Sequence, residues 1–241
     1  MMELKDMIAR RKSVRSYKNE PLSDAELTEI QAFVAVMKPL DPAIRTGWEI
    51  IPGNRAKCMT PWKAPHYVAI YTEERPGALE NAGFLFQQLD LYLQARSLGV
   101  CWVGMGKPEQ QLAAKDGLPF CMLLAFGYPK GDARRENAAE FKRKPLSDIA
   151  DEPDKRLEPA RLAPSSVNSQ PWYFTHDSDV IHVWRVAPGG LMRKALDKMN
   201  RIDMGIALAH LYVANPESFR FFQAVEPPEN KGRLYIGSIT L

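Results

Sequence analysis

Two short segments of this chain carry side chains that could bind a ligand. The first is Arg11-Lys12-Ser13-Val14-Arg15, at the end of a predicted helix. A phosphate monoester needs several charge-assisted donors that converge from different directions. Because Arg11, Ser13 and Arg15 alternate with other residues, they can converge, and the segment is a candidate phosphate cradle. The alternative is a basic helix end exposed to solvent, which is the commoner case. The segment alone therefore does not establish a phosphate site.

The second segment is a loop between two prolines that is followed by a tryptophan, residues 164–172. The prolines restrict the backbone, while Ser166, Asn168 and Gln170 supply hydrogen-bond donors and acceptors. Such side chains suit the rim of a heteroaromatic ring that carries carbonyl and imide groups. The alternative is an ordinary capping turn before a strand.

The remaining composition excludes several classes of site. The three cysteines form no CxxC pair and the four histidines lack ligand spacing, so neither a disulfide framework nor a metal site is predicted. No triad or acid–base pair is evident, and no catalytic side chain is predicted. The net charge of +3 is too small to indicate nucleic acid binding. No signal peptide or membrane-spanning run is found, so we expect a cytoplasmic protein.

Hydrophobic periodicity predicts an α+β chain. Helices are predicted over residues 3–12, from Ser23 with Glu26 in a capping box, over 78–97 with Gly99 as the C-terminal cap, and over 202–214. Strands are predicted over residues 48–51, 67–71, 122–127, 172–174, 180–184 and 234–239. Residues 128–158 are rich in charge, proline and glycine, and they are predicted to form a linker or surface excursion.

The order of elements in the first half returns in the second. Residues 38–50 match 163–174, residues 81–89 match 203–211, and residues 125–127 match 235–237. We therefore predict an internal duplication with halves 1–150 and 151–241. The alternative is that two unrelated α+β halves look alike at this level of detail.

Both segments resemble the flavin-binding motifs of the FMN-dependent nitroreductase family. Residues 98–106 resemble the family's segment after the long core helix, and residues 141–146 resemble its late basic-Pro-Leu segment. In ordinary members the loop follows the cradle by a couple of dozen residues, whereas here about 150 residues intervene. The group that matches best has two nitroreductase-like halves fused in one chain. The resemblance implies an internally duplicated α+β nitroreductase-like fold, with antiparallel-rich sheets packed against helices.

In the two-chain members each FMN lies at the dimer interface, with phosphate ligands from one subunit and the loop from the other. Here the first half keeps the cradle but has a degraded loop at residues 38–43. The second half keeps the loop but has no cradle at residues 151–155. The resemblance therefore implies one flavin site per chain, in a pseudo-dimer that is complete as a monomer.

The resemblance also implies roles for individual residues. Arg11 and Ser13 would bind the phosphate with help from Arg143, and Arg15 would face the N1/O2 edge of the ring. Backbone at Gly104 and Met105 would lie near N5. The implied cofactor-binding residues are Arg11, Lys12, Ser13, Arg15, Gly104, Met105, Arg143, Pro164, Ser165, Ser166, Asn168 and Gln170.

The implied activity is a ping-pong reaction in which NAD(P)H reduces FMN and a nitroaromatic or quinone is then reduced. One alternative is another flavin reaction, such as dehalogenation or oxygen-dependent flavin breakdown. A second alternative is an FMN-binding or flavin-free protein that keeps the fold for sensing or interaction.

Overall fold

The computed structural model of the protein describes residues 3–189, 193–230 and 232–241. The α-helices in this part of the chain are α1 Leu4–Ile8, α2 Asp24–Val36, α3 Ala78–Ala95, α4 Glu158–Leu162 and α5 Arg193–Ala214. The strands are β1 Thr46–Pro52, β2 Ala56–Cys58, β3 His66–Thr72, β4 Gly99–Val103, β5 Gly106–Pro108, β6 Ala114–Lys115, β7 Leu118–Gly127, β8 Trp172–Asp177, β9 Val180–Val186, β10 Arg220–Phe222 and β11 Arg233–Thr240. Of the helices described, none combines the length and apolar character needed to cross a membrane.

Two antiparallel sheets repeat one strand order. The first sheet runs β1-β3-β7-β4, with β6 added beside β7, and the second runs β8-β9-β11-β10. In each sheet the first two strands pair in sequence, and a long helix, α3 or α5, leads to the next strand. One of these sheets lies within residues 1–150 and the other within 151–241, and both the division into halves and its origin by duplication stay predictions.

The two long helices cross in direct backbone contact. A Cβ atom on Gly83 of α3 would lie 2.1 Å from the carbonyl oxygen of Ile202, and one on Gly205 of α5 would lie 1.8 Å from that of Glu80. Only glycine permits this approach from either side. The two glycines occupy matched positions in the sequence comparison, so the crossing relates the halves symmetrically.

Residues at matched positions on the two helices hold the matched loops. The Oδ1 atom of Asn81 accepts hydrogen bonds from the backbone of Leu40 and Asp41, at 2.9 and 3.1 Å. The carboxyl group of Asp203 accepts from the backbone of Ser166, at 3.1 and 3.0 Å. Each long helix therefore fixes the loop of its own half.

The halves share one hydrophobic core. Its buried members include Phe86 of α3, Leu208 of α5, Val68 of the first sheet and Val183 of the second. Burial of this apolar surface is the main favourable contribution to folding, and here it is spread across both halves. Removing either half would expose the part of this core that the other half contributes, whereas a smaller cluster lies wholly within the first half.

Three predicted helix boundaries are wrong. The helix predicted over residues 3–12 ends at Ile8, because the cradle is extended and Ser13 pairs with Val100. The chain leaves α3 through Ser97, whose φ is 64°, and Gly99 is the first residue of β4 instead of a cap. The helix predicted from residue 202 begins at Arg193, since its first two turns are too polar to show periodicity.

The segment from residue 128 to 158 is anchored along its length, so the prediction of a linker or surface excursion is only partly right. The carbonyl of Tyr128 accepts from the backbone of Lys18 at 2.8 Å. Phe141 and Ile149 are buried despite the polar composition around them. The segment carries the chain from one half to the other and brings its basic residues beside the cradle.

Candidate functional site

The two predicted motifs meet in one cavity of about 380 Å³. Small-molecule sites have this size. The first half contributes Ser13, Arg15, Thr60, Trp62, Cys101, Trp102, Val103, Gly104, Met105 and Met122. The second half contributes Pro164, Ser165, Ser166, Val167, Leu196, Met199, Ile202, Asp203 and Ile206. The cavity is therefore composite, with apolar walls and a polar rim.

The cradle reaches the cavity through the alternation of an extended chain. The backbone of Val14 donates to the carbonyl of Val100 at 2.9 Å, which aligns the segment with β4. Val14 then points into the core, while Ser13 and Arg15 point into the cavity. Arg15 is exposed there, and it forms no ion pair with a carboxylate of the described residues. The geometry leaves its charge available to a ligand.

Arg11 and Lys12 lie outside the cavity lining. The Arg11 side chain is buried, and its Nε and Nη2 atoms donate to Asp90 at 3.1 and 3.3 Å. Its Nη2 also donates to the Ser13 hydroxyl at 3.3 Å, so Arg11 supports the cavity through Ser13. The ammonium of Lys12 is exposed and donates to the carbonyl of Asp132. Direct contact of either residue with a ligand stays a prediction.

A cluster of arginines lies behind the cradle. Desolvation, together with repulsion from Arg11, Arg135 and Arg161, lowers the pKa of Arg143 to about 10. Desolvation and repulsion from Arg11 also lower the pKa of Arg135, which donates to the Arg11 carbonyl and stacks on Phe141. No carboxylate among the described residues forms an ion pair with Arg135 or Arg143. Mutually repelling, partly buried cations favour the binding of an anion.

The loop after α4 is held in a strained conformation. Val167, Asn168 and Gln170 have φ angles of 48°, 57° and 48°. Such values are unfavourable for residues other than glycine, most of all for a β-branched valine, and strain of this kind concentrates at functional sites. Val167 lines the cavity and is 79% exposed. The fold thus holds an apolar side chain over the opening.

The amide side chains of this loop turn toward the basic segment instead of the cavity. Asn168 Oδ1 accepts from Arg143 at 2.5 Å, and its Nδ2 donates to the carbonyl of Lys142 at 2.9 Å. Gln170 Oε1 accepts from the backbone of Lys144 at 2.8 Å. Asn168 and Gln170 therefore lie outside the cavity lining, and their contact with a cofactor stays a prediction. Pro164, Ser165 and Ser166 do line it.

The predicted backbone approach at Gly104 and Met105 falls on the cavity wall. A Cβ atom on Gly104 would lie 2.8 Å from the sulfur of Met199, and the Ser166 hydroxyl donates to that sulfur at 2.9 Å. The Met199 thioether therefore bridges the two halves across the cavity. Because methionine is flexible, it can yield to a ligand at low cost.

A buried chain of hydrogen bonds fixes the orientation of Trp102. Its indole N–H donates to Gln87 Oε1 at 3.0 Å, and Gln87 Nε2 donates to His210 Nε2 at 3.1 Å. His210 Nδ1 donates in turn to the carbonyl of Pro159 at 3.0 Å, so its tautomer is determined. Burial lowers the pKa of His210 to about 3, and the imidazole is neutral.

Sequence reasoning missed three residues of the site. Arg135 lies in the segment that was predicted to be a linker, and Asp203 was used only to align the halves. Trp62 carries no motif at all. The pair Arg134-Arg135 close to the basic Arg143 was a signal for the first of these, and a lone aspartate in an apolar helix was a signal for the second.

A larger groove of about 570 Å³ contains none of the motif residues. Its cations are already engaged, since Lys198 donates to the carbonyl of Cys121 and Arg201 pairs with Glu80. The composite cavity is the better candidate because it joins exposed charge, apolar walls and a strained loop.

Comparison with known proteins decides the family. Residues 3–215 match the family model described as "Putative TM nitroreductase". The chain belongs to this nitroreductase family. Its members are nitroreductase-like oxidoreductases, and the expected nitroreductase-like α+β fold is confirmed. No curated protein matches the chain.

Solved structures of nitroreductases cover the chain to different extents. A "putative nitroreductase" from Thermotoga maritima is 21% identical, with a TM-score of 0.67 over 99% of this chain and 92% of its own. A nitroreductase family protein from Clostridium difficile is 16% identical, with a TM-score of 0.49 over 61% of this chain and 96% of its own. A nitroreductase with bound FMN from Desulfitobacterium hafniense is 14% identical, with a TM-score of 0.45 over 60% and 100%. The first of these supports the fold along nearly the whole nitroreductase-like chain.

Proposed function

We propose that the protein is an FMN-dependent oxidoreductase that takes electrons from NAD(P)H and passes them to a nitroaromatic or a quinone. One observation carries the proposal: Ser13 and Arg15 of the cradle and Pro164–Val167 of the loop line the same cavity, although about 150 residues separate them. Family membership and the FMN bound to the Desulfitobacterium hafniense nitroreductase support the same assignment.

The residues of the cavity fit a flavin nucleotide. Trp62, Trp102 and Ile206 offer apolar walls for a ring system, and the cluster around Arg143 offers positive charge for a phosphate. FMN, when bound, supplies the hydride chemistry, so no nucleophile or metal is required of the protein. Arg15 would stabilise negative charge on the bound ring system, and the apolar walls would exclude water from it.

The space that is matched to the cavity, between α3 and the second half, is filled by aromatic side chains. Phe84 of α3, at the position matched to Ile206 of α5, packs against Tyr212 and Phe219 with ring centroids 5.4 and 6.0 Å apart. This packing supports a single flavin per chain and a site that is complete in the monomer.

A second candidate function is FMN binding without turnover, or the same fold without flavin. It is favoured by the side chains of Arg11, Asn168 and Gln170, whose polar atoms are engaged within the protein. Under this alternative the strained loop would serve sensing or interaction.

Anaerobic spectroscopy of the purified protein separates these functions. We expect it to bind one FMN per chain, to bleach on addition of NADH or NADPH, and to regain its colour with benzoquinone or nitrofurazone. A protein that does not take up FMN contradicts both flavin functions. Bound FMN that neither nucleotide reduces favours the binding protein.

A further inference from the structure

Asp203 places a buried carboxyl group in the cavity wall. The residue is 4% exposed, and it lines the cavity between Met199 and Ile206 on α5. The backbone of Ser166 is its hydrogen-bond donor, at 3.1 and 3.0 Å. One N–H group cannot saturate two carboxylate oxygens, and a charged carboxylate with so few donors is unfavourable in an apolar wall.

The charged groups around Asp203 do not compensate it. Arg15 lies in the same cavity but on the opposite half, and Arg143 donates to Ala163 and Asn168. On α5 itself, Arg201 pairs with Glu80.

The other neighbours are neutral or directed elsewhere. Lys198 of α5 donates to the carbonyl of Cys121, and burial raises the pKa of the Cys101 thiol on β4. Desolvation therefore dominates over the single Ser166 N–H and raises the pKa of Asp203 to about 8. The side chain holds a proton at neutral pH.

Asn81, the residue of the first half that matches Asp203, shows which chemical group is sufficient to hold a loop. Asn81 is a neutral amide, which accepts from Leu40 and Asp41 and donates to the Thr46 hydroxyl at 3.1 Å. An acceptor oxygen is sufficient to hold the loop. At the matched position the second half has instead a carboxyl group, which carries a transferable proton.

We infer that Asp203 is the proton donor to the electron acceptor in the cavity, an inference that rests on the proposed function. Reduction of a quinone by two electrons consumes one hydride and one proton. The hydride derives from NAD(P)H, the O–H bond of Asp203 breaks, and an O–H bond forms on the quinone oxygen. The carboxylate that remains takes a proton from water, which restores the starting state.

Infrared spectroscopy tests the protonation of Asp203 without turnover. We expect the carbonyl band of a protonated carboxylic acid at pH 7, its loss toward pH 10, and its absence from Asp203→Asn. Asp197→Asn is the matched control, since it removes a carboxyl group from α5 that pairs with Arg185 at 2.7 Å. A wild-type spectrum identical to that of Asp203→Asn at pH 7 overturns the inference.

Thermal unfolding gives a second readout. The unfolded carboxyl group ionises near its ordinary pKa of 3.8, whereas the folded one keeps its proton up to about 8. The stability that this group contributes is therefore complete below the first value and is lost as the pH rises to the second. We expect Asp203→Asn to gain stability relative to wild type across this range, while Asp197→Asn shows no such trend.

Rapid mixing of the reduced holoprotein with benzoquinone tests the transfer. We expect Asp203→Asn to bind FMN and to be reduced by NAD(P)H as wild type is, but to reoxidise about 100-fold more slowly. Wild-type protein that does not bind or reduce FMN refutes the proposed function. If Asp203→Asn reoxidises at the wild-type rate or loses FMN binding, the role of Asp203 as proton donor is overturned. The proposed function is unaffected by that result.

Discussion

The three basic residues of the cradle have different environments, because side chains alternate along the extended segment and because Arg11, close to the end of α1, pairs with a buried carboxylate. Arg15 faces the cavity, Arg11 is buried against Asp90, and Lys12 faces solvent. The same positive charge therefore faces the cavity at Arg15, a buried carboxylate at Arg11 and solvent at Lys12. Arg15 is the residue whose charge can act directly on a ligand.

Replacing Arg15 should weaken flavin binding. We expect Arg15→Gln to raise the Kd for FMN by about 10- to 100-fold, which corresponds to the loss of one hydrogen bond to a charged group. Lys18→Gln, which removes an exposed charge three residues further along the chain, should leave the Kd unchanged. Titration of FMN fluorescence measures both. Equal effects of the two substitutions would show that only net charge matters.

At the scale of elements, the crossing of α3 and α5 sets the shape of the cavity. The close contact at Gly83 and Gly205 brings Asp203 and Met199 of α5 to the first half. The same crossing holds the buried chain from Trp102 through Gln87 to His210. Packing of these two helices thus controls both the cavity wall and its support.

Adding a methyl group at the crossing should be strongly destabilising. Alanine normally stabilises a helix by about 1 kcal/mol relative to glycine. We expect Gly205→Ala to lower the free energy of unfolding instead, by about 3 kcal/mol or more, because its Cβ would overlap the Glu80 carbonyl oxygen. Urea denaturation measures the change. Gly189→Ala, whose added carbon would have no atom of the described residues within 4 Å, is the control and should be nearly neutral.

His210 should make the protein sensitive to acid. The pKa of His210 is lowered from 6.5 to about 3 in the folded protein. Between these two pH values the unfolded state binds a proton that the folded state does not bind. The free energy of unfolding should therefore fall as the pH drops from 6.5 toward 3, by up to about 1.4 kcal/mol per pH unit.

The control for this prediction comes from the other long helix, which has Gln88 at the position matched to His210. The difference in stability between wild type and His210→Gln, measured by urea denaturation at pH 7, 5 and 4, isolates the contribution of His210. A difference that does not change with pH would mean that the imidazole is hydrated in the folded protein.

Elements were predictable where a local pattern decided them. Ser23 and Glu26 form the capping box that their spacing indicated, and the buried strand β3 follows its apolar run. The start of α5 was not predictable, since its first turns are stabilised by tertiary contacts. At the site, the alternation of side chains along an extended chain predicted that Ser13 and Arg15 point to the same side. The directions of Asn168 and Gln170 depend instead on three left-handed residues in the loop. Spacing carries no information on such rotations.

At the scale of the whole molecule, the two halves depend on each other. The core that contains Phe86 and Leu208 crosses the boundary between them, and the cavity has walls from both. One polypeptide therefore forms a site of the kind that two subunits would otherwise form at their interface.

Separating the halves should abolish folding of each. We expect residues 1–150 and 151–241, expressed alone, to lack cooperative thermal unfolding, because each would expose its share of the common core. Mixing the two fragments should restore cooperative unfolding and, with it, flavin binding. A fragment that unfolds cooperatively by itself would contradict the shared core. Intact wild-type chain, diluted to the same concentration, is the reference.

The matched positions 81 and 203 show what covalent linkage makes possible. In a symmetric homodimer one codon specifies both copies of a position, so a residue that suits the loop must also suit the reaction. Under the predicted duplication, the two copies are encoded separately here, and one is Asn81 while the other is Asp203. Linkage lets selection act on each copy independently. The halves can then specialise, one as scaffold and one as reactive wall, without a compromise residue at either place.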